Sequence, residues 1–237
     1  VTGELLHCHW RDLAEHVRRT VGQVDALIVD APYSERTHAG HDGQAESVNG
    51  RAIAYRPWTP ADVADFVAEW APLVTNWLVS ITDEDLRGPW RAEMERHGLK
   101  VFARIPAIET GMTVRFNGDG APNWTCDVVS ARTRKAEHIG AWRPSPYYLV
   151  KREPKDVVGG KPLAMMLAMV EDYTRPGDLV CDPCCGAGTT LLAAKLLGRQ
   201  YIGGDLDAKH VEIARERLRD LPAQPKSGTL ALPWEKP

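Results

Sequence analysis

The chain has 237 residues, enough to bury a full core, and its 43% hydrophobic and 26% charged content is that of an ordinary folded domain. A net charge of −3 excludes a wholly basic nucleic-acid-binding chain, and no apolar run approaches the roughly 18 residues that span a bilayer. The first residues lack the basic-then-apolar pattern of a secretory signal, and five cysteines, an odd number, are not a disulfide framework, so a reducing cytoplasm is the expected setting.

In chain order, residues 5–10 read as a short strand and 11–21 as a helix with Leu13, Val17 and Val21 on one face. Residues 24–30 form a nearly continuous apolar run, as expected of a strand buried on both faces. The pattern then breaks down over a polar loop at 34–60, long enough that loop-length priors point to function. Thr59 as N-cap and Pro60 at the first helical position start a helix whose apolar face is Val63, Phe66, Val67, Trp70 and Val74. A strand at 77–81, a helix at 86–97 ended by Gly98, and strands at 100–108 and 125–130 follow, the last two joined by an exposed Gly/Asn/Pro-rich loop at 109–124. Residues 162–173 read as a helix whose three methionines are core filler. A strand at 179–182, a helix at 189–197, a strand at 201–205 and a helix at 208–221 complete the alternation. A tail with four prolines at 222–237 is expected to wrap or fray.

Charge is unevenly spread. Between Arg132 and Lys161 the chain carries +5 and elsewhere −8, so a local patch can meet phosphates while the body stays acidic. Arg132, Arg134, Lys135, Arg143, Lys151 and Arg152 are the candidate DNA contacts, interleaved with Trp142, Tyr147 and Tyr148. The rings serve equally well as anchors to the core, so the charges rank above them. Trp142-Arg143-Pro144-Ser145-Pro146 reads as a proline-stiffened extended loop.

Two motifs close apolar strands. Asp182-Pro183-Cys184-Cys185-Gly186-Ala187-Gly188-Thr189-Thr190 follows the strand at 179–182 and opens a helix, so backbone amides can approach a ligand. Leu191 stands where a dinucleotide fingerprint needs its third glycine, and the lysine of a P-loop is missing. Asp205 ends the next strand, where a carboxylate can accept ribose hydroxyls. A zwitterionic nucleoside such as S-adenosylmethionine (AdoMet) fits, needing a ribose acceptor but no pyrophosphate cradle. The CxxC spacing around Cys181, Cys184 and Cys185 lacks a second ligand pair, and no metal is expected.

The other motif is Asp30-Ala31-Pro32-Tyr33, at the end of the strand at 24–30. The Asp30 carboxylate and the Pro32 carbonyl could accept the two protons of an exocyclic amine, and Tyr33 could offer a face for a base to stack on. A base reached in this way has to leave the duplex stack. The bland alternative is a simple strand-to-loop turn. In an open α/β sheet both motifs would face one crevice at the carboxyl ends of the strands.

These two motifs resemble those of the AdoMet-dependent amino DNA methyltransferases, which modify adenine N6 or cytosine N4. Their order resembles the beta class of that family, a circular permutation in which the catalytic motif precedes the cofactor motif. Leu5-Leu6-His7 is similar to the family's opening strand, Lys161-Pro162 to its helix start, and residues 201–205 with 214–218 to its ribose-binding strand and helix. The resemblance implies a single domain over 1–237, with a short basic target-recognition-like insert at about 132–160 and the long loop at 34–60. It implies a doubly wound, mostly parallel, Rossmann-like α/β sheet, circularly permuted, with one antiparallel strand in an edge region. It further implies catalysis by Asp30, Pro32 and Tyr33, and AdoMet held by Asp182, Cys184, Gly186, Gly188, Thr189, Asp205 and Lys161, with His9 near its adenine. The partner is double-stranded DNA with a flipped base. Asp at the first motif position favours adenine; cytosine N4 is the alternative target, and a non-catalytic DNA-binding scaffold the alternative class. Ala31 replaces a family proline and His9 a family aspartate. The basic insert is short for a recognition domain, so specificity is loose or is shared with the 34–60 loop, the 109–124 loop or the second subunit of a homodimer.

Overall fold

The structure, a computed structural model, describes residues 3–38, 55–110, 125–134, 144–151 and 160–220. The elements are β1 (Glu4–His7), α1 (Trp10–Thr20), β2 (Val24–Asp30), α2 (Pro60–Trp70), β3 (Val74–Thr82), α3 (Glu84–Arg96), β4 (Lys100–Val101), β5 (Ile105–Thr110), β6 (Thr125–Arg132) and β7 (Tyr148–Lys151). Then follow α4 (Leu163–Tyr173), β8 (Leu179–Asp182), α5 (Thr189–Leu196), β9 (Gln200–Asp205) and α6 (Ala208–Arg219). Among the described residues nine strands form one sheet in the order β1-β9-β8-β2-β3-β6-β5-β7, with β4 also pairing β6.

Every pair from β1 across to β3 is parallel. Such strands are covered on both faces, which is why Leu27, Ile28, Val29 and Val180 are fully buried. One core packs α1, α2 and α3 against the sheet through Leu13, Phe66, Trp70 and Trp90. Across the sheet, Met165, Met166 and Met169 of α4 pack with Ala193 and Ala194 of α5, while Leu191, Leu192 and Leu218 join α5 to α6. The methionines are core filler, as their spacing indicates. No helix among the described residues is long and apolar enough to cross a membrane.

Four readings change. The opening strand stops at His7, because His9 caps α1 and Trp10 begins it. Val74 starts β3 instead of extending α2, since Pro72 terminates the helix through a short 3₁₀ turn at Ala71–Leu73. The run at 100–108 splits into β4 and β5, where Arg91 Nη1 takes the Phe102 carbonyl at 3.1 Å, away from the ladder. The antiparallel strand is β6, which lies inside the sheet between β3 and β5. The edge position belongs to β7, four residues of the basic insert for which the sequence pattern indicated no element and which pair in parallel with β5. The tail at 222–237, the loop at 109–124 except for its first two residues, and most of the 34–60 loop lie outside the described residues.

The helix starts match the chemistry of their caps. Thr59 and Asp62 form a reciprocal capping box on α2, and Asp83 caps α3. Phe66 of α2 then meets Trp10, Trp58, Trp70 and Trp90 at ring-centroid distances of 5.1, 5.4, 6.1 and 5.5 Å. Phe66→Ala is expected to lower unfolding stability by about 3–5 kcal/mol, because four rings would line the cavity left behind. Urea denaturation followed by tryptophan fluorescence measures it.

Candidate active site

β2 and β8 are neighbours, with Ala26 opposite Val180 and Leu27 opposite Cys181, and both run towards the same edge of the sheet. Asp30 and Asp182 therefore open into one cavity of about 660 Å³, which Pro32, Lys161, Cys184, Gly186, Thr189, Asp205 and His9 also line. Two motifs about 150 residues apart in the chain meet there.

The glycine loop is shaped by its backbone. Gly186 (φ +51°) and Gly188 (φ +74°) both adopt left-handed conformations. A Cβ at Gly188 would lie 2.8 Å from the Ala214 Cβ, so that glycine lets α6 close onto the loop. A Cβ at Gly186 would meet no protein atom within 4 Å and would project into open space. The Gly186 N–H donates to Asp205 Oδ2 at 2.8 Å and the Asp207 N–H to Oδ1 at 2.9 Å. A carboxylate has about four acceptor sites, so two remain for ligand hydroxyls. His210 Nδ1 lies 3.4 Å from the same carboxylate. Thr189 opens α5, and its hydroxyl accepts from Arg217 at 3.2 Å.

Asp182 is 1% exposed. Burial raises its pKa to about 7, against the opposing hydrogen bonds from Thr190 and the Cys184 N–H. Burial, reinforced by the Asp182 charge, pushes the Cys184 thiol well above the usual range, so it is an inert wall of the site. His9 is the N-cap of α1, its Nδ1 accepting from the Arg11 N–H at 3.2 Å. Burial, with help from Arg11, lowers its pKa and favours the neutral imidazole.

Around Asp30 the arrangement differs from the sequence expectation. Tyr33 Oη donates to Asp30 Oδ1 at 3.0 Å, and Lys161 Nζ donates to Oδ2 at 2.6 Å while sitting 5.0 Å from the Tyr33 ring centroid. Tyr33 packs against the core on the α4 side and does not line the cavity, so it positions Asp30 more directly than it offers a stacking face. Burial and the Asp30 charge raise its phenol well above the ordinary value, keeping it a neutral donor. Burial alone would depress the Lys161 ammonium; the Asp30 carboxylate outweighs this and holds its pKa up.

Several contributors escaped sequence reasoning. Asp83 Oδ2 accepts from the Ser34 N–H at 2.9 Å, Ser34 Oγ at 2.6 Å and Thr37 Oγ1 at 2.5 Å, while Oδ1 caps α3 through the Leu86 N–H at 3.1 Å. The segment after Tyr33 is thereby tied to the end of the neighbouring strand. An aspartate directly after an apolar strand and before Glu84-Asp85 carried a legible N-cap signal. Tyr55 and Trp58 also line the cavity, and the Trp58 N–H donates to the Tyr33 carbonyl at 2.9 Å, closing the 34–58 excursion at its base. That contact left no mark in the sequence.

The candidate DNA contacts do not form one patch. Arg132 is paired with Trp77 near the start of β3, whereas Asp30 is level with Ile81. Four strand residues span about 13 Å, so Arg132 and Arg134 sit towards the amino ends of the parallel strands, away from the cavity mouth. The reason is the reversed direction of β6. Arg134 Nε donates to the Gly98 carbonyl at 3.3 Å, and Arg132 lies 5.8 Å from the Phe102 ring centroid. Lys151 ends β7 opposite Thr110, on the carboxyl side of the sheet, and is exposed. Lys135, Trp142, Arg143 and Arg152 lie outside the described residues. Tyr148 is an anchor, its hydroxyl donating to buried Asp172 at 2.8 Å, while Tyr147 is exposed.

Residues 125–216 match the sequence model of the N6/N4 DNA methylase family, described as DNA methylase. The match covers the cofactor-like loop and Asp205; the Asp30 motif lies before it. The type II methyltransferase M2.LlaDCHI of Lactococcus lactis subsp. cremoris is 38% identical over 151 residues, 53% of this chain and 53% of that protein. M.HinfI of Haemophilus influenzae is 38% identical over 65 residues, 27% of this chain and 18% of that protein, so the chain spans about half or less of these two proteins. Among solved structures, the M1.HpyAVI–SAM complex aligns with a TM-score of 0.71 at 22% identity, covering 91% of this chain and 99% of that one. The cytosine-N4-specific PvuII DNA methyltransferase aligns at 0.69 and 12%, covering 94% and 89%. The doubly wound, mostly parallel sheet is thus a methyltransferase fold.

Asp182 generates a pH prediction. Its folded-state pKa of about 7 lies above the ordinary value of 3.8, so its contribution to stability is complete below that ordinary value and is lost as pH rises through 7. Asp182→Asn should remove this component. The difference in Tm between wild type and variant, followed calorimetrically from pH 4 to pH 8, should shift in favour of the variant as pH rises and level off above pH 7.

Proposed function

We propose that this chain transfers a methyl group from AdoMet to the exocyclic amine of a base in double-stranded DNA, with adenine N6 as the target. One observation carries the reading: the Asp30-Ala31-Pro32-Tyr33 turn and the Gly186–Asp205 hydrogen bond border the same cavity, because β2 lies beside β8. The residues fit the cofactor. Space is left at Gly186 where any side chain would intrude, Asp205 retains acceptor capacity for ribose hydroxyls, and Lys161 supplies a cation within the same cavity. Asp182, Cys184, Gly188 and Thr189 complete the loop, and His9 lines the same cavity. When bound, AdoMet supplies an electrophilic methyl group.

The chain does the remaining work by positioning. The amine of a base is a weak nucleophile, because its lone pair is delocalised into the ring. Asp30 accepts a hydrogen bond from it and draws electron density onto nitrogen. Tyr33 fixes the plane of that carboxylate, and Asp83 holds the following residues in place. The base has to leave the duplex to reach Asp30, which lies within the cavity.

Cytosine N4 is the second reading, favoured by the likeness to the PvuII enzyme and by the same amine-plus-ring-nitrogen pattern on cytosine. Mass spectrometry of digested DNA from cells expressing the protein separates the two. N6-methyladenine is expected, and N4-methylcytosine alone would reassign the target. Asp205→Ala should weaken AdoMet binding at least about tenfold by titration calorimetry, as hydrogen bonds to a charged group are worth about 1.5–3 kcal/mol. No binding by wild type would point instead to a non-catalytic DNA-binding scaffold.

Phosphate contact is proposed for the carboxyl side of the sheet, where Lys151 lies. In salt titrations of duplex DNA binding, Lys151→Ala should lower the slope of log K against log salt by about 1. Arg134→Ala should leave the slope as it is; a change there would move the DNA to the opposite edge.

A further inference from the structure

Asp30 already has two donors. Oδ1 accepts from Tyr33, and Oδ2 from Lys161 Nζ at 2.6 Å. The Tyr33 contact is local, three residues along the chain. The Lys161 contact spans 131 residues and joins the end of β2 to the residues just before α4. The Lys161 side chain is 13% exposed and that of Asp30 24%, so the pair is shielded from water and each charge depends strongly on its partner.

Lys161 lines the cavity alongside Gly186 and Asp205, which makes it accessible to a ligand seated on the glycine loop. The cavity's other arginine side chains are each paired with an acid, Arg11 with Asp65 at 2.6 Å and Arg56 with Asp62 of the cavity rim at 2.5 Å. The wall near Asp30, Asp182 and Asp205 is otherwise acidic. A ligand carboxylate entering this acidic cavity therefore has Lys161 as its shielded counter-ion. An amine arriving at Asp30 has to share its oxygens with Tyr33 and Lys161.

We infer that Lys161 links the two halves of the site by competition: it occupies Asp30 Oδ2 until the carboxylate of an amino-acid-bearing nucleoside draws it away, and that exchange opens Asp30 to the base amine. The inference rests on the methyl-transfer reading. It makes Lys161 a positioning residue that favours cofactor before base, since a base arriving first has to share Oδ2 with an ammonium 2.6 Å away.

The test uses two probes and needs no DNA. S-adenosylhomocysteine carries the amino-acid carboxylate, and 5′-methylthioadenosine has the same nucleoside without it. Calorimetry is run on wild type, Asp30→Asn, Lys161→Gln and the double variant. Asp30→Asn keeps the shape of the side chain but removes the charge that competes for Lys161, so S-adenosylhomocysteine should bind about tenfold more tightly. Lys161→Gln should weaken S-adenosylhomocysteine towards the affinity of methylthioadenosine, and adding Asp30→Asn to it should change nothing further. Methylthioadenosine should bind all four proteins alike, which also shows that each is folded. Unchanged or weaker S-adenosylhomocysteine binding by Asp30→Asn, with methylthioadenosine unaffected, overturns the competition. If neither probe binds wild type, it is the methyl-transfer reading that falls.

Discussion

The parallel pairing of β2 with β8 is the contact on which the site depends. Only Ala26 with Val180 and Leu27 with Cys181 stand in register, yet this brings together chain segments about 150 residues apart. Parallel neighbours cannot be joined by a tight turn, so everything from α2 to α4 is the connection between them. Because the two strands point the same way, their last residues, Asp30 and Asp182, face the same edge. The price of this arrangement is a set of long-range contacts, and the apolar burial of both strands supplies the driving force.

Three carboxylates converge on that edge, and the protein treats each differently. Asp30 is met by an ammonium and a phenol, Asp205 by two backbone amides, and Asp182 by burial with a hydroxyl and one amide. A cavity with this much acid suits a ligand bearing positive charge, as a sulfonium nucleoside does. Lys161 is the counterweight, its ammonium set against Asp30 within the same cavity. Electrostatics here works through a few shielded pairs rather than through the net charge of −3.

The turn that carries Asp30 is held from several sides. Tyr33 donates to the carboxylate, Asp83 takes three hydrogen bonds from Ser34 and Thr37, and the Trp58 N–H returns to the Tyr33 carbonyl. Trp58 is itself locked among Trp10, Phe66 and Trp90. The long excursion between Ser34 and Trp58 therefore departs from and returns to a rigid base beside the cavity.

The local code of this protein was legible without coordinates. Apolar runs marked β2, β3 and β8, the Thr59-Pro60 pair marked α2, and the glycines at 186 and 188 with Asp205 marked the cofactor half, because periodicity, capping and left-handed turns are properties of neighbouring residues. Which strands lie side by side is not such a property. The sequence could place Arg132 and Arg134 in a basic segment, but only the reversed direction of β6 carried them to the far edge of the sheet. It could place Lys161 near a helix start, but only packing across 131 residues set its ammonium on Asp30. Residues 148–151 carried no strand signal because an edge strand of four residues has too few alternations to register, and β5 supplied the partner that made them a strand. Short-range physics determined the elements and the chemistry each could offer; long-range burial decided which of those chemistries would face one another.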